Sequence, residues 1–190
     1  MATEQPIILF ETPAAWATWL EAPTAPAGLW LKMAKGSTGI ASITYAEALE
    51  VALCFGWIDS QKKSIDAQFW MQKFTPRRPG SIWSKINCQK IEALIARGAM
   101  KPAGLREVET AKHDGRWEAA YDSQSGSVLP ADFQAALHQN PDALAFFATL
   151  KSAERYSFLF RIQTAKKAET RARNIQKFVS MLAAGEKIRA

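Results

Sequence analysis

The residues best suited to chemistry lie between positions 52 and 87. Ala52-Leu-Cys-Phe-Gly-Trp-Ile-Asp59 supplies an indole and a carboxylate, and Phe74-Thr-Pro-Arg-Arg-Pro-Gly-Ser-Ile-Trp-Ser-Lys-Ile-Asn87 supplies two adjacent arginines, hydroxyls, an amine and an amide. Arg77 and Arg78 lie between Pro76 and Pro79, which forces extended backbone at Thr75 and Arg78. Guanidinium forks on a stiff segment suit a carboxylate or a phosphate. The same groups also suit an internal ion pair with Asp59 or a cap on helix carbonyls. Trp57 and Asp59 follow a helix end, where Trp57 is either a pocket wall or a core plug; a buried Asp59 beside an arginine would stay ionised and orient it. Ser84 and Lys85 precede a helix whose free N–H groups form an anion site, with plain capping by Ser84 or Asn87 as the alternative. Trp57, Asp59, Arg77, Arg78, Ser84 and Lys85 are therefore the candidate site for an anionic small molecule.

A second candidate is basic. Lys166, Lys167, Arg171, Arg173 and Lys177 cluster near a helix junction, and such a cluster can neutralise nucleic-acid phosphate or simply solvate a helix. Glu169 offers Arg173 a partner one turn away. Catalytic signatures are sparse. His113 and His138 sit in no metal-binding spacing, and neither a GxSxG elbow nor a GxGxxG loop occurs. No catalytic residue, metal or cofactor is expected, although catalytic groups that converge only in space leave an enzyme with a site near Asp59 and Arg77 as a further alternative. Cys54 lies in an apolar run and is expected to be inert; Cys88, in the first turn of a helix and three residues from Lys85, is the better candidate for a low-pKa thiol.

The elements that would carry these residues follow from caps and periodicity. Thr12-Pro13 opens a helix that Pro23 and Pro26 end, and Leu29–Met33 is a strand followed by a Gly36–Gly39 turn. Thr44-Tyr-Ala-Glu47 is a capping box ahead of a helix closed by Gly56. Residues 58–65 and 68–74 suit two antiparallel strands. Helices follow over 87–97, from Pro102 to about Gly115, after Pro130 and after Pro141. Two longer helices come last. Phe158, Leu159 and Ile162 are out of phase with Ile175, Phe178 and Leu182, so a break is required near Lys166–Thr170, with Thr170 as the expected cap.

This pattern predicts an α+β fold: a small antiparallel sheet with helices in an aromatic-rich domain over 1–121, a linker over 122–127, and a basic helical unit over 128–190. The net charge is +6, divided as 14 Lys and Arg against 13 Asp and Glu up to residue 127, and 10 against 5 beyond it. All seven tryptophans lie at or before Trp117. No apolar run approaches the roughly 18 residues that span a bilayer. The N-terminus lacks a signal-peptide pattern, and a cytoplasmic location is expected.

The two segments above, with Lys101-Pro-Ala-Gly-Leu105, Asp114-Gly-Arg-Trp117 and Ala165-Lys-Lys-Ala-Glu-Thr-Arg-Ala-Arg173, resemble the YdeI/OmpD-associated, or bacteriocin-protection, family. The resemblance covers most of the chain. It implies protection against bacteriocins or related envelope-active peptides, many of them cationic. A chain of charge +6 repels such peptides, so protection would act indirectly, through an anionic ligand, a regulatory nucleic acid or an envelope component. A binding protein for an anionic ligand in a stress-tolerance system is the first expectation; a nucleic-acid-binding protein using the C-terminal basic helices is the second.

Overall fold

Residues 5–22, 27–36 and 38–188 are described by the computed structural model of the chain. The order is β1 (Ile7–Leu9), α1 (Pro13–Glu21), β2 (Leu29–Ala34), α2 (Tyr45–Cys54), β3 (Trp57–Ser64), β4 (Phe69–Pro76), α3 (Lys85–Ala96), α4 (Pro102–His113), α5 (Ala131–His138), α6 (Pro141–Thr149), α7 (Ser152–Gln163) and α8 (Ala168–Ala183). The class is α+β, as the sequence predicts. Pro23, Pro26 and Ser37, expected in a helix stop and a turn, lie outside the described residues.

Local chemistry sets the helix starts. The Thr12 hydroxyl accepts from the Ala15 amide at 3.2 Å with Pro13 in the first turn. At α2, the Thr44 hydroxyl accepts from the Glu47 amide and the Glu47 carboxylate accepts from the Thr44 amide at 2.9 Å, which satisfies two orphan donors at once. Gly56 ends α2 with φ 76°, the left-handed conformation that glycine tolerates.

The chain divides into two compact units, Met1–Ser81 with Asn87–Glu118, and Ile82–Ile86 with Ala119–Ala190. In the first, the strands form one sheet in the order β1-β2-β4-β3, with β1 parallel to β2 and the other pairs antiparallel. β1 is only three residues long and carries no alternation that sequence could detect. Along β2, Leu29, Leu31 and Met33 are buried while Trp30, Lys32 and Ala34 are half-buried, the period-two pattern of a strand with two unlike faces. The inner face packs on α1 and α2. Trp16 of α1 lies 5.9 Å from the Phe74 ring and 5.3 Å from Trp19, and its indole N–H donates to the Ala48 carbonyl of α2. Such ring pairs add about 0.5–1.5 kcal/mol each beyond area burial.

The outer face is different. Lys32 Nζ sits 3.8 Å from the Phe69 ring centre and Lys63 Nζ 4.6 Å from that of Trp30, with Lys73 Nζ at 5.8 Å from the same indole. At exposed sites each close contact of this kind contributes about 0.5–1 kcal/mol.

The second unit packs α5 to α8 around Phe133, Leu137, Phe147, Phe158, Ile162 and Phe178. The required break falls between Gln163 and Ala168, so both hydrophobic sets reach one core. Its cap differs from expectation. Lys167, not Thr170, is the N-cap residue, and Thr170 lies inside the first turn of α8. The segment Ile82–Ile86 joins this unit through Tyr121, whose amide donates to the Trp83 carbonyl and whose carbonyl accepts from the Lys85 amide, each at 2.9 Å. Residues 122–127 also fall within it.

Candidate functional site

The six residues proposed for the anionic-ligand site have separate environments. Trp57 is buried against Trp16 and Trp19 at ring distances of 6.1 and 5.9 Å. Asp59, on the inner face of β3, accepts from the Tyr45 hydroxyl at 2.9 Å and from the Gln72 amide at 3.4 Å. Those two partners come from α2 and β4, and no sequence spacing announces them. Arg77 is buried, and its amide donates to the Gly56 carbonyl at 2.9 Å. Arg78 points the other way and is exposed, with its amide donating to the Ser81 hydroxyl. The doublet is therefore split between core and surface. Ser84 and Lys85 belong to the second unit, where the Lys85 ammonium pairs with Asp122 at 2.6 Å. The structure thus places Trp57 and Asp59 on β3 and Arg77 one residue past the end of β4, with Ser84 and Lys85 in the second unit.

The thiols correct one expectation. Burial pushes the Cys88 thiol up to about 11, with the Arg77 charge opposing the shift. Cys88 is buried, and desolvation outweighs its position in the first turn of α3. Burial also raises Cys54 above the usual thiol range.

The basic cluster sits on a groove. Between α7, α8 and the residues after α8 lies a cavity of about 1170 Å3. Lys166 and Lys167 from the α7–α8 junction and Lys177 from α8 line it, with Arg161 from α7. Phe178, Met181 and Ile188 give it apolar walls, while Thr170 and Asn174 offer a hydroxyl and an amide. The ammonium groups of Lys166, Lys167 and Lys177 have no hydrogen-bond or ion-pair partner among the described residues. Lys187 and Glu186 complete the rim, and Lys187 pairs with Glu154 at 2.8 Å. Three unpaired ammonium groups against the single lining carboxylate of Glu186, beside an apolar wall, favour an anion that also carries apolar surface.

Arg171 is engaged differently. Its guanidinium donates to both Asp132 carboxylate oxygens, at 2.7 and 2.9 Å, and to the Ile162 carbonyl at 2.8 Å. It fastens α8 to α5 and α7. Arg173 is exposed and lies off the groove. Sequence reasoning found the lysines through their clustering. It missed Arg161, Phe178 and Met181 as groove residues, and the hydrophobic phase break was the one signal that pointed towards them.

Residues 127–185 match the family described as Bacteriocin-protection, YdeI or OmpD-Associated. Residues 8–107, just over half of the chain, match a family described as Domain of unknown function (DUF8412). The chain belongs to the second of these families, and its C-terminal part is similar to the first. No curated protein and no solved structure shows a significant match. The YdeI/OmpD-associated match carries, at the level of the family, a function related to bacteriocin protection. Most of the groove lies within that match, from Arg161 to Met181, with Glu186, Lys187 and Ile188 just beyond it.

Several residues that mark the YdeI/OmpD-associated resemblance are structural here. A Cβ added at Gly104 would stand 2.2 Å from the Cys54 carbonyl oxygen, so glycine permits α4 to approach the end of α2. Arg116 pairs with Asp114 at 2.7 Å and donates to the Ser81 carbonyl.

Proposed function

We propose that this chain is a cytoplasmic binding protein of a stress or antimicrobial-peptide tolerance system, and that it holds an anionic ligand in the α7–α8 groove. The observation that carries this reading is the set of three lysines, Lys166, Lys167 and Lys177, whose ammonium groups have no ion-pair partner among the described residues, beside the apolar wall of Phe178, Met181 and Ile188, with Glu186 as the one carboxylate in the lining. Arg77, offered by the sequence for the same task, is buried, and Lys85 already has a carboxylate partner. The groove is thus the better host for the expected anion. Binding of an anion also agrees with the sign of the chain: a protein of charge +6 attracts anions and repels cationic peptides, so protection proceeds through what it binds.

Calorimetric titration with dodecyl phosphate and, separately, with inorganic pyrophosphate tests the reading. Dodecyl phosphate is expected to bind more tightly, because only it covers the apolar wall. Lys166→Ala with Lys177→Ala should weaken it at least about tenfold, the loss of roughly one charge-assisted contact. Arg78→Ala should leave it unchanged. Equal binding by the double variant and the parent chain would overturn the groove as the site.

A further inference from the structure

The outer face of the four-stranded sheet carries the ring and charge pattern of a polynucleotide platform. Trp30 of β2 and Phe69 of β4 lie on adjacent strands, and register places Trp30 opposite Lys73 and Phe69 opposite Ala34. The two rings are thus four ladder positions apart, about 13 Å along the strands. Lys32 and Met71 pair between them. An ammonium stands over each ring, Lys63 over Trp30 and Lys32 over Phe69, with Lys73 beside the indole. In the four strands the only carboxylate is that of Asp59, and it points to the opposite face, where Tyr45 and Gln72 hold it. Asp66, at the β3–β4 turn, is committed to the Gln68 and Phe69 amides. α1 and α2 pack on the inner face, through Trp16 on Phe74 and Tyr45 on Asp59.

We propose that this face docks single-stranded nucleic acid, with Trp30 and Phe69 stacking on bases and Lys32, Lys63 and Lys73 meeting phosphates. The lysines occupy the ring faces as weak substitutes. A base stacking on an exposed ring gains more than the ammonium loses in leaving it, and the displaced ammonium finds a phosphate. Unpaired bases are required, because a duplex hides the base faces that the rings would meet. An anionic membrane satisfies the lysines equally but not the rings, which are half-buried beneath ammonium groups and are not positioned to insert. The reading does not rest on the α7–α8 groove, which lies in the other unit.

The test is fluorescence anisotropy of an end-labelled oligothymidylate titrated with the full chain, at about 50 and about 200 mM salt. Binding is expected at the lower salt, weakening as salt rises. Lys63→Gln with Lys73→Gln should reduce the slope of log affinity against log salt by about 1.4, about 0.7 for each lost phosphate contact on a single strand. Trp30→Leu, which keeps apolar bulk on the strand, should weaken binding about tenfold at either salt. If Trp30→Leu fails to fold, the paired lysine variant decides, since its side chains lie at the surface. The proposal is overturned by no binding at low salt, by parental binding in the variants, or by loss only in Lys166→Ala with Lys177→Ala. Preference for phosphatidylglycerol vesicles over the oligonucleotide also overturns it.

Discussion

The two units place positive charge against different partners. In the first, several ammonium groups rest on aromatic rings: Lys32 on Phe69, Lys62 on Trp70, Lys63 on Trp30 and Lys112 on Trp117, all between 3.8 and 5.2 Å, while Lys101, Arg97 and Arg116 meet carboxylates. In the second, Lys85, Arg171 and Lys187 meet carboxylates, Lys166, Lys167 and Lys177 line a groove, and Arg155 stands over the Phe147 ring at 5.6 Å. Net charge alone would point only to the C-terminal half as a surface for anions. The structure adds that a lysine over an indole is weakly held and remains available, whereas an arginine clamped to a carboxylate and a carbonyl is not. Availability depends on the partner, not on the count.

The cores differ as well, and mutations can show whether they act separately. The largest expected effect is at Phe158, fully buried and in edge contact with Phe178 at 5.3 Å. Phe158→Ala should remove about 3–5 kcal/mol. Urea unfolding followed by both helical circular dichroism and tryptophan fluorescence would read it. If the cores unfold independently, the helical midpoint falls and the fluorescence of the Trp16–Trp19–Trp57 cluster keeps its own; a common shift of both would end the distinction.

Gly104→Ala attacks the other core. Its Cβ would meet the Cys54 carbonyl, which also accepts from the Lys101 amide, so α4 must move away from α2. The expected loss is about 1–3 kcal/mol, visible as a lower midpoint by tryptophan fluorescence. An unchanged midpoint would show that the α2–α4 approach yields at no cost.

The smallest effect is electrostatic. The Arg171 guanidinium beside Asp132 holds its carboxyl below the usual carboxylate range. A depressed folded pKa stabilises above the unfolded value, near 4, and that stability is lost as pH falls through the folded value. Arg171→Ala should therefore cost under about 1 kcal/mol at pH 7, since the pair is partly exposed, and the gap to the parent should shrink as pH falls below about 4. Thermal melting between pH 7 and 3 checks the sign; a gap that widened in acid would contradict it.

Much of the fold was legible because its signals are local. Thr44 with Glu47, Thr12 with Pro13, Asn140 with Pro141 and the phase break before α8 each involve residues within one or two turns. The strands expected over 58–65 and 68–74, the second marked by alternation, are β3 and β4 with their ends shifted by one or two residues. What stayed hidden depends on distant partners. Nothing around Asp59 names Tyr45 and Gln72, and nothing in Arg77-Arg78 tells which arginine turns inward. Cys88 shows the same limit: its sequence neighbours favour a reactive thiol, while its depth decides against one. On the sheet, each lysine and each ring is unremarkable alone. Only register brings Lys63 of β3 and Lys73 of β4 to Trp30 of β2.

The strand-like pairing of Tyr121 with the segment at Trp83 has a consequence for how this gene can be cut. Ile82–Ile86 falls inside the first family match, yet it folds with the residues of the second. Asp122, which precedes the second match, receives the Lys85 ammonium, donates its amide to the Gln163 side chain and offers its carbonyl to the Tyr156 hydroxyl. A fragment beginning at residue 127 leaves both segments behind, exposing the Phe160 ring on which Tyr121 stands at 5.0 Å. The transferable piece of this protein is therefore discontinuous in sequence, and a shuffled or truncated copy inherits the family's helices without the clasp that closes them.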